Sequence, residues 1–185
     1  MVMLMTDTLS QTLPLKSGRW ALDAGHFNVA FGVGHLGVST VRGRFGGVDA
    51  ELVVGETLDD TSVTASVTMA SLDTGNADRD AHVLTPEFLD AETRTHLTFR
   101  STGIHGDDDT WTMDGDLTIG DVTKPVTFDV AFGGIAPFYD GTFHAGFGAK
   151  GAINRQDFGI TFGQADGLLG DIVDVELDLE FLQPN

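Results

Sequence analysis

The sequence predicts an all-β protein, a closed antiparallel barrel of eight strands with one short helix in its long connection. Three observations support that expectation. Apolar and polar residues alternate with period two from one end of the chain to the other, as strands with one dry and one wet face require. Glycine and phenylalanine are abundant, at 24 and 13 of 185 residues, which suits twisted strands closed around an aromatic interior. Turn residues punctuate the alternation at short intervals.

Taken in order, the first strand is expected near 19–34, where Phe27, Val29, Phe31 and Val33 share one face. A second follows near 38–54. A third, near 60–70, sets Val63, Ala65, Val67 and Met69 against Ser62, Thr64, Ser66 and Thr68. A long connection, about 70–94, holds the single helical candidate, TPEFLDAET at 85–93. There Thr85 can cap, Pro86 suits the first helical position, and Glu87 and Asp90 lie near the positive end. Further strands are expected near 95–105, 109–119, 123–133, 142–153 and 171–182. Gly106-Asp107-Asp108-Asp109, Gly120-Asp121 and Tyr139-Asp140-Gly141 supply turns between them. The last strand alternates most strictly, Val173, Val175, Leu177, Leu179 and Phe181 against Asp174, Glu176, Asp178 and Glu180. Residues 1–18 read as a mobile N-terminal extension and 19–185 as one barrel domain. Closure removes the exposed edges that so many strands would otherwise present.

Charge narrows the partners. A formal net charge of -18 leaves too few cations to neutralise a run of phosphates, which excludes nucleic acid, and disfavours adhesion to anionic lipid. The chain has no cysteine, so disulfides and thiolate chemistry are excluded. No segment approaches the ~20 apolar residues of a membrane helix. The amino terminus lacks the basic and apolar regions of a secretory signal, from which a cytoplasmic protein is expected.

Covalent chemistry finds little support. His26 and His35 are nine apart, so a regular strand points them to opposite faces. His82, His96, His105 and His144 fall on separate elements, and no HExxH spacing occurs. There is no GxSxG elbow. No metal and no cofactor is expected, and the chain reads as a binding protein rather than an enzyme. Polar residues do crowd two irregular segments, DTGNADRDAH (Asp78, Arg79, Asp80, His82) and INRQDFGI (Asn154, Arg155, Asp157). Such Arg–Asp pairs either fasten a loop or meet a polar ligand head.

Those segments, with WALDAGHFNVAFGVGHLGVSTVRGRF at 20–45, PEFLD at 86–90, LTFRST at 97–102 and GDLTIGDVTKPVTFDV at 115–130, resemble the YceI-like family of polyisoprenoid-binding, lipocalin-like proteins. Trp20, Asp23, His26, Phe31 and His35 match its opening pattern, Arg79, Asp80 and His82 its RDxH element, and Asn154, Arg155, Asp157, Phe158 and Gly159 its NRxDFG element. Phe27 departs from the Ser or Thr frequent there, and many relatives carry a secretory signal. The resemblance implies an eight-stranded lipocalin-like barrel with an apolar tunnel for an isoprenoid chain, such as an isoprenoid quinone or a polyprenyl diphosphate. Phe31, Val33, Phe99, Trp111, Phe128, Phe147 and Phe158 are then expected to line the cavity, with His26, Arg79, His82 and Arg155 at a polar mouth. Storage or transport of a long amphiphile is the expected role. The alternatives are a scavenger of hydrophobic toxic compounds and an enzyme acting on lipid or isoprenoid with His26 or His82 as base. Pairing into a homodimer is left open. Alternation alone does not separate a hollow barrel from one filled by its own side chains.

Overall fold

A computed structural model of the chain describes residues 13–107 and 110–185. Ten strands and one helix follow in order: β1 (Gly18–His35), β2 (Ser39–Phe45), β3 (Val48–Val54), β4 (Ser62–Thr68), β5 (Leu72–Asp73), α1 (Ala77–Val83), β6 (His96–Asp107), β7 (Thr110–Ile119), β8 (Val122–Pro137), β9 (Phe143–Asn154) and β10 (Leu169–Leu182). β1 pairs on one side with β10, from Ala21 opposite Leu182 to His35 opposite Leu169. On its other side it pairs with β2 near its end and β3 near its start. β2 and β3 are therefore one wall strand, the expected 38–54, broken at Gly46-Gly47. With that pair counted once and the two-residue β5 set aside, eight antiparallel strands run round the wall and β10 closes on β1.

The break has a steric cause. A Cβ at Gly47 would lie 3.0 Å from the Cβ atoms of both Ser71 and Thr68, so the chain returning to β5 crosses where a side chain would stand. Gly46 N–H donates to Ser71 O and Thr68 N–H to Gly47 O, at 3.2 and 2.7 Å.

One end of the barrel is packed solid. Trp20 is fully buried among Ala50, Leu52, Val54, Ala145 and Phe181, and its Nε1 donates to Lys16 O at 2.8 Å. Leu13 and Leu15 pack on the same cluster, so residues 13–17 sit against the closed end. The rest of the expected extension lies outside the described residues, as do positions 108 and 109 of the β6–β7 turn.

The helix is a correction. It runs over Ala77–Val83, capped by Asn76, whose side chain accepts from Arg79 N–H, with Asp78 and Asp80 in the first turn. Residues 85–93 instead make successive tight turns. Phe88 and Asp90 both donate to Thr85 O, and Asp90 stands at φ 52, a left-handed conformation that ends any helix there.

Candidate functional site

The inward rows of the wall do not meet at the centre. They enclose a cavity of about 820 Å³, lined by Val29, Phe31 and Val33 of β1, Phe99 of β6, Met113 and Leu117 of β7, Phe128 of β8 and Val173, Val175, Leu177 and Leu179 of β10. Its polar groups gather at the end opposite Trp20, where His35, Thr74, Arg79 and His82 surround the opening. The interior is dry and the rim is wet, the arrangement of a site for a chain with a polar end.

Two loops build the rim. In the first, Arg79 donates from Nε to Thr74 Oγ1 (2.7 Å) and from Nη2 to Thr74 O (2.8 Å). Asp80 accepts from Thr74 N–H and the Thr74 hydroxyl. Nη1 of Arg79 is not drawn into these bonds, so a cation remains at the opening. In the second, Arg155 is only 3% exposed. It donates from Nε to Gly170 O (2.7 Å), from Nη1 to Ile160 O and Phe162 O (2.8 and 2.7 Å) and from Nη2 to Leu169 O (3.1 Å). Burial pushes the guanidinium down from its ordinary value, with Asp171 opposing. Arg155 thus fastens segment 160–170 and has almost no donor left for a guest. Aromatic contacts bridge the two loops: Phe88 stacks on Phe162 at 4.8 Å and His82 meets Phe162 edge-on at 4.9 Å.

Comparison with known proteins agrees with this architecture. The family model described as the YceI-like domain matches residues 20–181. The chain belongs to the YceI-like family. A UPF0312 protein of Staphylococcus epidermidis is 36% identical over 170 residues, 88% of this chain and 96% of that protein. The crystal structure of the Campylobacter jejuni YceI protein superposes with a TM-score of 0.73 at 27% identity, covering 82% of this chain and 90% of that one. A polyisoprenoid binding domain from Saccharophagus degradans shares the fold, with a TM-score of 0.66 at 12% identity over 91% of this chain and all of that one.

Within this YceI-like barrel the expected wall residues divide. Phe31, Val33, Phe99 and Phe128 line the cavity. Trp111 is buried but is not part of the lining, and its Nε1 has no hydrogen-bond partner among the described residues. Phe147 packs on the Trp20 cluster, its ring 5.3 Å from Phe132 and 6.1 Å from Phe181. Phe158 is not part of the lining; it is buried against Met69, Ile119 and Ile160, which are, and pins the 3-10 turn Arg155–Phe158. Of the expected mouth residues, Arg79, His82 and Arg155 do converge. His26 does not: it lies toward the other end, 2.8 Å from Asp23.

Sequence reasoning missed His35 and Phe162. Parity could have found His35, which continues the row Val29, Phe31, Val33. Phe162 sits in a turn-rich loop with no period to expose it. No helix among the described residues is long and apolar enough to cross a membrane.

Proposed function

We propose that this barrel binds a long apolar amphiphile, an isoprenoid quinone or polyprenyl diphosphate, for storage or transport, with the chain in the lumen and the polar end at the mouth. The observation that carries this reading is the segregation within the cavity: inward rows free of charge along the wall, and Arg79, His35 and His82 confined to the opening. Phe31, Val33, Phe99 and Phe128 contact the chain; Arg79 and His82 face the head group. The apolar drive is roughly 25 cal/mol per Å² removed from water, so each added isoprene unit strengthens binding until the lumen is full. At ~30 Å³ for each water-sized group, about 820 Å³ accommodates roughly 25–30 non-hydrogen atoms, or about five to six isoprene units. Longer chains must leave their excess outside. The Saccharophagus degradans domain, described as polyisoprenoid binding, is consistent with this reading through its fold alone.

Native mass spectrometry with lipid extraction of the purified protein is the direct test, followed by titration of the delipidated barrel. Affinity should rise with prenyl length and level off near the stated capacity, and Val33→Trp, which fills the lumen, should weaken it at least tenfold. A delipidated barrel that takes up neither ligand, or an affinity indifferent to Val33→Trp, would overturn the proposal.

A further inference from the structure

A second constellation lies on the outer face of the barrel, at the seam where β10 closes on β1. Here β1 carries an enlarged bulge. Leu22 stands opposite Phe181 and Phe27 opposite Leu179, so Asp23, Ala24, Gly25 and His26 all face the single residue Glu180. Bulges of this kind re-aim side chains, and they concentrate near functional sites. This one brings Asp23 and His26 over Glu180 of β10 and His144 of β9.

The donor atoms converge. Gly25 N–H donates to Asp23 Oδ1 at 2.9 Å, which fixes the carboxylate and turns Oδ2 inward. Oδ2 lies 2.8 Å from His26 Nδ1 and 3.6 Å from His144 Nδ1. Glu180 Oε1 lies 2.5 Å from the same His144 nitrogen. The ligating atoms of Asp23, His144 and Glu180 all fall within 4.8 Å of one another. His144 packs against Phe138 at 5.1 Å and is only 12% exposed in its side chain, so the imidazole is held rather than free.

Two carboxylates compete for one imidazole nitrogen that can present at most one proton. A doubly charged cation bound by both carboxylates and two neutral imidazoles would bring the set to zero charge. A tetrahedral zinc with bonds of about 2.0–2.2 Å sets its donor atoms roughly 3.4 Å apart. The Asp23–His144 separation is already near that value, and the His144–Glu180 pair reaches it by a small side-chain rotation. His26 touches this three-residue set only through Asp23, and its largely exposed ring completes the set by swinging over from that carboxylate. Two imidazoles and two carboxylates suit zinc, copper or nickel and offer too few oxygens for calcium or magnesium.

We propose that Asp23, His26, His144 and Glu180 form a divalent transition-metal site, best matched to Zn²⁺, that clips together the three strands at the closure of the barrel. The site is remote from the mouth and does not depend on what the lumen holds. Sequence spacing could not show it, because the four donors come from one bulge and two further strands.

The test uses the full chain, purified without a histidine tag and treated with chelator. Calorimetric titration with Zn²⁺ should show one equivalent bound, unaffected by excess Mg²⁺, and Zn²⁺ should raise Tm. His144→Asn and Glu180→Gln should each weaken binding more than tenfold and abolish the rise in Tm. His105→Asn, altering a histidine near Asp114 on another face, should change neither. If His144→Asn fails to fold by circular dichroism, His26→Asn supplies the comparison, since its ring is 59% exposed. Absence of saturable Zn²⁺ uptake, uptake that survives Glu180→Gln and His26→Asn together, or equal displacement by Mg²⁺ would overturn the proposal.

Discussion

The ring of Phe31 lies across Gly43, its direct partner on the adjacent strand, so closely that a Cβ at Gly43 would stand 2.5 Å from Phe31 Cζ. The same relationship recurs between Phe128 and Gly151, where the distance is 2.7 Å, and the ring of Phe99 lies at least as closely over Gly115, two residues along β7 from its direct partner Leu117. Three phenylalanines that could have filled the lumen are instead laid flat against the wall by the glycine beside each. Large residues in apolar rows thereby yield a hollow barrel rather than a plugged one.

Gly43→Ala tests this directly, because every near neighbour of the added methyl is a side-chain atom of Phe31 or Thr74. The ring should swing into the lumen and shorten the space for a guest. Overpacking of this sort costs about 1–3 kcal/mol, and affinity for a long prenyl chain should fall about tenfold. Denaturant unfolding and ligand titration on the one variant measure both.

The two mouth arginines should respond in opposite ways. Arg155→Ala strands four backbone carbonyls and should lower stability by about 1–3 kcal/mol. Arg79→Ala leaves the core untouched; Tm should barely move while head-group affinity drops. Thermal melts beside binding curves for both variants separate fastening from recognition. A stable Arg155→Ala protein with weakened binding would reverse the assignment.

Ligand choice should follow the chain more than its head. With a net charge of -18, the protein repels a diphosphate from a distance, and at the rim Arg79 offsets this locally. A quinone should bind at least as well as a diphosphate of equal length. Its affinity should be nearly independent of ionic strength, whereas diphosphate affinity should improve as salt screens the repulsion. Titrations across salt concentrations decide it: a diphosphate that wins at low salt and loses its advantage as salt is added would disprove the claim.

Acid sensitivity should trace in part to Asp73. Gly75 N–H, and then Arg44, hold its carboxyl below the ordinary value of 3.8. A depressed carboxylate stabilises the fold above its unfolded value and loses that contribution as pH falls through its folded one. Between pH 5 and pH 3, on the order of the ordinary carboxylate range, Asp73→Asn should therefore lose stability less steeply than the parent chain. Urea midpoints measured across that interval give the slopes. Equal slopes would count against a role for Asp73.

The strands could be read from the chain wherever one face is wet, as in β10, where Asp174 to Glu180 alternate with Val173 to Phe181. The break inside 38–54 was visible as Gly46-Gly47 but carried no periodic mark of its own. The helix was misplaced because Thr85-Pro86 mimics a start while Asn76 supplies a working cap. Leu84, Phe88, Leu89 and Ala91 pack against the wall from a series of turns instead of one helical stripe. At the mouth, Arg79 and His82 stood out by charge, whereas Phe162 reaches its place only through the loop that Arg155 gathers.

That gathering leaves the entrance asymmetric. On one side a buried guanidinium holds the loop with four bonds to its carbonyls, and peeling that loop away would expose all of them at once. On the other stands α1, none of whose residues is buried, held through Thr74 and the edge of His82. The first side is a doorpost and the second a door. Local opening draws on the weakest-held segment, so 74–83 is expected to open before 160–170, and an occupant of the lumen would leave past α1 rather than past the post.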